Sequence, residues 1–258
     1  MLLAIDVGNT NIVAGIFKCD KLKVKWRFRT EKDSTGDEFQ IRMAGFFEES
    51  SISFADIKEV VVSSVVPSIG ITIDSFCYKC FGCSPLWVDA SSAPNLTVLY
   101  REPAAIGADR IVNAVAAFNK YGTDLIVIDF GTATTFDVVS GNGEYLGGAI
   151  SPGIKTAAEA LFFNASQLPR FELSDPPEVV IGNDTVSSMK SGIIYGYACL
   201  VDGMVRMMGK EMDKTPMVIA TGGLATLMLD VRETIKTVEP DLTLEGLYII
   251  RKGSGLHS

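Results

Sequence analysis

Leu125-Ile126-Val127-Ile128-Asp129-Phe130-Gly131 answers, position by position, the opening of the same chain, Leu2-Leu3-Ala4-Ile5-Asp6-Val7-Gly8. In both places an apolar run suited to a buried strand ends in Asp-x-Gly. A polar turn follows, Asn9-Thr10-Asn11 in the first case and Thr132-Ala133-Thr134-Thr135 in the second. A second strand comes next, expected over 11–17 and again over 136–139. One such match is within reach of chance. Two, each opening a strand-rich stretch that runs into a helix, point to a duplicated α/β unit with a mixed sheet and flanking helices in each half. The expected division is an N-terminal domain over 1–121 and a C-terminal domain over 122–258.

The pattern extends outward from these two stretches. A third strand is expected over 23–29, an amphipathic helix over 37–49, and a fully buried strand in the Val-rich run 60–66. Pro67 suits the first turn of a helix reaching to about 81. Residues 91–106 show no clear periodicity and read as a loop. Ile111, Val112, Val115 and Phe118 mark one face of a helix over 108–121, with Gly122 as its C-terminal cap. The second half should hold a strand around Tyr145 and Leu146, helices over 152–163 and 185–212, strands at 217–220 and 235–238, and a last helix over 242–252.

Composition narrows the function classes. The chain has 258 residues, 47% hydrophobic and 21% charged, with a formal net charge of −8. An acidic chain repels a phosphate backbone, so nucleic acid is not an expected partner. The basic stretch with Lys21, Lys23, Lys25 and Arg27 carries its charges at alternate positions and reads as the solvated face of a strand. No apolar run is long enough for a membrane span. Met1 to Ile5 is cut short by Asp6 and lacks a basic flank, so no targeting segment is expected. Five cysteines, an odd number, fit a reducing, cytoplasmic setting. The single histidine, His257, is the penultimate residue, which leaves acid–base chemistry to carboxylates, Lys, Tyr or Cys.

The paired bends suit phosphate binding. Glycine at positions 8 and 131 can adopt backbone angles closed to other residues and so aim N–H groups at a ligand. Asn9, Thr10, Asn11, Thr132 and Thr134 add uncharged donors. Asp6 and Asp129, at their strand ends, would repel a triphosphate unless a cation lay between, so their expected role is to hold a metal or its water shell. Either bend alone is better read as a tight hairpin closed by Asp. It is the pair that points to a nucleotide held by both halves. Ala220-Thr221-Gly222-Gly223 adds a strand end where a flat ring could approach the backbone.

Asp6-Val7-Gly8-Asn9-Thr10-Asn11, Gly107-Ala108-Asp109-Arg110, Asp129-Phe130-Gly131-Thr132-Ala133-Thr134 and Ala220-Thr221-Gly222-Gly223, in this order, resemble the type III pantothenate kinases of the acetate and sugar kinase/Hsp70/actin superfamily. The resemblance covers about residues 1–250. It implies two RNase H-like domains of the actin/hexokinase-like ATPase fold, a homodimer, and phosphorylation of pantothenate to 4′-phosphopantothenate by ATP, the first step of coenzyme A biosynthesis. It also implies a divalent metal, usually Mg²⁺, and a monovalent activator, K⁺ or NH₄⁺. Carried across residue by residue, it makes Asp6, Val7, Gly8, Asn9, Thr10, Asn11, Ile12 and Val13 the first phosphate loop. Asp6 then holds Mg²⁺ indirectly, Thr132 belongs to the second loop, and Asp129 resembles the monovalent-cation ligand. Gly107, Ala108, Asp109 and Arg110 would line the pantothenate pocket, with Asp109 as proton acceptor, and Tyr100 and Thr185 match substrate-contacting positions. The chain departs from the family at Glu102-Pro103, where Asn-Pro is usual, and at Ile106, where Val is common.

Other readings remain open on the residues alone. Gly107-Ala108-Asp109-Arg110 is also a capped helix start with Asp opposing the helix dipole. Cys77, Cys80 and Cys83 have the spacing of metal ligands, but small hydrophobes packed from a helix are the better reading. The stripe Met189, Ile193, Tyr197, Leu200, Val201, Met204, Met207 and Met208 fits a core and also a subunit interface. At the level of function the alternatives are a related small-molecule kinase acting on a sugar or acid, a nucleotide-switched binding protein, and a transcription regulator.

Overall fold

The computed structural model describes residues 1–165, 168–212, 214–229, 231 and 233–254; His257 lies outside them. The chain forms two compact units, Met1–Lys120 together with the stretch from Asp241, and Tyr121–Pro240.

The first unit contains β1 (Leu2–Val7), β2 (Asn11–Lys18), β3 (Lys21–Arg29), α1 (Gly36–Glu49), β4 (Glu59–Ser64), α2 (Gly70–Phe81), the two-residue strands β5 (Leu86–Trp87) and β6 (Thr97–Val98), and α3 (Ala108–Tyr121). Its sheet runs β3-β2-β1-β4-β5. β1 pairs antiparallel with β2 and parallel with β4. Because side chains alternate along a strand, Leu3, Ile5 and Val7 share one face with Ile12, Ile16, Val60 and Val62. That face packs against Phe39, Met43 and Phe47 of α1 and Ile73, Phe76 and Cys77 of α2. Each fully buried aliphatic or aromatic side chain there contributes about 1.5–3 kcal/mol of transfer free energy. Cys80 and Cys83 pack at the margin of the same core, as small hydrophobes would.

The opposite face of the sheet receives the C-terminal helix α7 (Leu242–Gly253), which the sequence pattern assigns to the other half. Tyr248 stacks on Phe17, Arg251 pairs with Glu59 at 3.0 Å, and Lys25 pairs with Asp241 at 2.6 Å. Thr243 donates to Asn113 Oδ1 at 2.8 Å, which ties α7 to α3. The return of α7 could not be read locally, since its amphipathic stripe has no preference between two similar sheets.

The second unit contains β7 (Leu125–Phe130), β8 (Ala133–Val139), β9 (Glu144–Pro152), α4 (Ile154–Asn164), α5 (Thr185–Gly209), β10 (Met217–Thr221), α6 (Ala225–Leu229) and β11 (Thr237–Val238). Its strands follow β11-β10-β7-β8-β9, with β7 antiparallel to β8 and parallel to β10. This is the first sheet's plan again: a meander of three strands, then parallel strands added on the other side of the first. Ile126, Ile128, Phe130, Phe136 and Val218 pack against Ile194, Tyr197, Val201 and Val205 of α5. The α5 stripe is therefore mostly core, whereas Met207 stays 63% exposed.

Boundaries move for local reasons. Pro67–Ile69 makes one tight turn before α2 begins. β9 continues through Pro152, so α4 starts at Ile154. α5 ends at Gly209, not 212. Gly122 does take a left-handed φ of 58° after α3. No helix among the described residues is long and apolar enough to cross a membrane.

Candidate active site

In the first unit three segments converge on Asp6. The first is the bend itself: Gly8 N donates to Asn11 O at 3.0 Å, and Asn9 and Thr10 lie exposed at its tip. Thr30, from the end of the third strand, closes it from below, donating its hydroxyl to Gly8 O at 2.7 Å and its N–H to Thr10 O at 3.0 Å. The sequence pattern gave no hint of Thr30. The second segment is the end of β4, where Ser63 Oγ donates to Asp6 Oδ1 at 2.6 Å. The third is the start of α3. Asp109 lies close enough for its charge to act on Asp6, and the Arg27 guanidinium acts on the same carboxyl with opposite sign.

These surroundings set the protonation of both acids. Burial pushes the Asp6 carboxyl up to about 7; the Ser63 hydrogen bond opposes this, Asp109 reinforces it and Arg27 opposes it. Burial also raises Asp109, against the hydrogen bond from the backbone N–H of Arg110 and the charge of the Arg110 guanidinium. That N–H donates to Asp109 Oδ1 at 2.8 Å. Gly107 makes the arrangement possible, since a Cβ there would stand 2.5 Å from Asp109 Oδ1. Ala108 and Arg110 are buried. Tyr100 and Glu102 lie exposed on the loop before α3.

In the second unit Asp129 ends β7 with Thr135 and Thr221 as its register partners on either side. Gly131 N donates to Ala133 O at 3.1 Å. The carbonyl of Thr132 accepts from Gly153 N at 3.0 Å and from Thr156 Oγ1 at 2.7 Å, so the start of α4 anchors this bend. Thr134 is fully buried and accepts from the Tyr197 phenol at 2.6 Å. Gly222 has a φ of 90°, and a Cβ on it would lie 2.4 Å from Asp129 Oδ1 and 2.6 Å from Phe130 N.

The glycines of the bends are used differently from the sequence expectation. Neither Gly8 nor Gly131 has a left-handed φ. What they provide is room: a Cβ would sit 3.0 Å from Asn11 O in the first bend and 3.2 Å from Ala133 O in the second.

Thr185 does not join the second bend. It is the first residue of α5, whose N-terminus is capped by the Asp184 side chain, and it lies over three helical turns, about 18 Å, from the level of Tyr197. There it lines an open groove of about 760 Å³ with Leu161, Asn183, Ser188, Met189 and Ile193.

Among the described residues no three His, Cys, Asp or Glu side chains gather to cage a metal. The Asp6 carboxyl fits the outer shell of a hard divalent cation that keeps water and substrate phosphates as its own ligands, the usual habit of Mg²⁺.

The sequence model for type III pantothenate kinase matches residues 2–207. A type III pantothenate kinase from Desulforapulum autotrophicum is 56% identical over 251 residues, spanning 97% of this chain and 96% of its own. One from Desulfosudis oleivorans is 54% identical over 250 residues, spanning 97% and 98%. Among solved structures, the ROK hexokinase of Thermus thermophilus superposes with a TM-score of 0.54 at 13% identity over 96% of this chain and 97% of that one, a likeness of fold.

Proposed function

The chain belongs to the type III pantothenate kinase family and phosphorylates pantothenate at the expense of ATP with a divalent metal, and from that premise we propose how its residues divide the work. The observation that carries the proposal is the meeting of Asp6, the first bend and Asp109 within one unit.

Asp109 accepts the proton of the pantothenate primary hydroxyl as that oxygen attacks the γ-phosphorus. Burial supports this role, because a carboxylate lifted above its ordinary range is a stronger base. One of its oxygens is fixed by the Arg110 N–H, which leaves the other for the substrate. Gly107, Ala108 and Arg110 shape the wall around it, and Tyr100, on the loop before α3, is assigned a further substrate contact. The first bend, residues 6–13, is assigned to phosphate oxygens of ATP. In the second unit Thr132 is assigned to phosphate and Thr185 to substrate. Mg²⁺ bound with ATP neutralises phosphate charge during transfer. Asp6 orients that ion's water shell.

Asp129 is assigned the monovalent cation, K⁺ or NH₄⁺. Its support is a carboxylate flanked at its own sheet level by the hydroxyl residues Thr135 and Thr221, an oxygen-rich setting suited to a weakly held cation. A homodimer is part of the same reading. Its support is large apolar surface on the second unit, where Phe163 is 83% and Ile181 87% exposed. A cytoplasmic setting completes it.

The test is ADP release from ATP by the purified protein with and without pantothenate, each in Na⁺, K⁺ and NH₄⁺ buffers. Pantothenate-dependent release, faster in K⁺ or NH₄⁺, is expected. Release that ignores the monovalent ion removes Asp129 from its assigned role, and release that ignores pantothenate removes the residue assignments altogether.

A further inference from the structure

β4 reads Glu59-Val60-Val61-Val62-Ser63-Ser64, a valine run that ends in two serines. Their hydroxyls do different things. Ser64 Oγ accepts from Val66 N at 3.0 Å and donates to Val66 O at 3.2 Å, which closes the turn out of the strand. Ser63 makes no such turn. It is fully buried, it is the register partner of Asp6 on the parallel strand, and its hydroxyl reaches across to Asp6 Oδ1 at 2.6 Å. That distance belongs to the short, charge-assisted class of O–H···O⁻ bonds.

The same placement occurs in the other unit. There the parallel neighbour of the aspartate strand reads Met217-Val218-Ile219-Ala220-Thr221. Thr221, 2% exposed, is the register partner of Asp129. In each half an apolar strand thus ends in a buried hydroxyl at the level of the aspartate. Sheet pairing alone requires no hydroxyl at that level, and another valine would serve the core better.

We propose that Ser63 is a positioning residue for phosphoryl transfer: by engaging Asp6 Oδ1 it fixes the rotation of the carboxylate, so that the second oxygen is presented to the water shell of the divalent cation carried by ATP. The inference rests on the role given above to Asp6. Groups that orient a metal-facing ligand act on the cation indirectly, and their loss costs about 10–100-fold in metal affinity or activity.

The experiment compares wild type, S63A, S63T and S64A by titration calorimetry with an ATP analogue bearing nitrogen between the β- and γ-phosphates, in excess Mg²⁺ and in EDTA. The readout is the ratio of the two affinities, alongside kcat and the KM for pantothenate. S63A should shrink the Mg²⁺-dependent gain in affinity by about tenfold and lower kcat by a similar factor, with the pantothenate KM little changed. S63T should restore most of both. S64A, which loses only the turn, should lower the melting temperature and leave the ratio alone. In a D6N background S63A should have no further effect on the ratio, because residues acting through one contact are not additive. Should S63A fail to fold, S63C keeps the volume and weakens the donor, and the same loss of ratio is expected of it. A ratio and kcat at wild-type values in S63A or S63C, or an undiminished S63A effect in the D6N background, overturns the proposal. A wild-type protein without pantothenate-dependent ADP release would instead count against the kinase assignments, so the two failures are separable.

Discussion

Asp109, on the first turn of α3, lies close enough to Asp6, at the end of β1, for its charge to reinforce the burial that lifts the Asp6 carboxyl to about 7. α7 packs on β1 and β4 and is tied to α3 through Thr243 and Asn113, and two acids separated by most of the first unit in sequence come within reach of one another. Burial is the larger cause of the raised value, and the Ser63 hydroxyl and the Arg27 guanidinium oppose it. A divalent cation held near Asp6 would favour its ionised form.

Asp6 gives a pH prediction with a definite sign. Its folded value near 7 lies above the unfolded value of about 3.9, so the folded state holds a proton that the unfolded state has released across that interval. The stabilisation is therefore fully present below about pH 4 and is lost as pH rises through 7. In EDTA and without nucleotide, the melting temperature of wild type minus that of D6N should fall from pH 5 to pH 7.5 and level off beyond pH 8. Parallel curves across that range would show that Asp6 titrates in its ordinary place.

Two glycines separate function from stability. A methyl group at Gly107 meets the Asp109 carboxylate, a side chain that can turn away, whereas at Gly222 it meets the backbone of Phe130 at a φ of 90°. G107A should lower kcat by at least tenfold and keep its melting temperature within a few degrees. G222A should lose about 1–3 kcal/mol of stability from the strained backbone, visible in urea unfolding. The reverse ordering in the two measurements would contradict these placements.

Tyr197 supports the second bend from α5. Its phenol donates to Thr134 Oγ1 at 2.6 Å and contacts the Pro152 carbonyl at 2.7 Å. Y197F leaves the buried Thr134 hydroxyl short of a partner, at a cost of about 1–3 kcal/mol. Because the bend is assigned to ATP, the KM for ATP should rise more than the KM for pantothenate. Equal changes in both constants would mean that Tyr197 serves only the fold.

The duplication was legible because each copy is continuous in sequence: an apolar run, Asp-x-Gly, a polar turn and a second strand need no long-range partner to be seen. The helix beginning at Ala108 was legible for the same reason. Ser63 was not, and Thr221 stood out only as part of the Gly222-Gly223 strand end, because what places them beside Asp6 and Asp129 is the register of a parallel pairing across a crossover, and sequence periodicity carries no register. Tyr197 stood in the α5 stripe as one more apolar position; only its hydroxyl, aimed at Thr134, distinguishes it from Ile194 or Val201. Thr30 looked like the end of a charged strand. At glycines 8 and 131 close approach of a carbonyl, not a left-handed φ, is what leaves no room for a side chain.

Asp109 as proton acceptor is tested most directly by single-turnover phosphorylation of pantothenate by D109N at saturating ATP and Mg²⁺, with the melting temperature recorded on the same preparation. Removing a general base costs about 10²–10⁴ in rate, so a fall of that size is expected, with the fold and pantothenate binding retained. A D109N rate within a few-fold of wild type would contradict it.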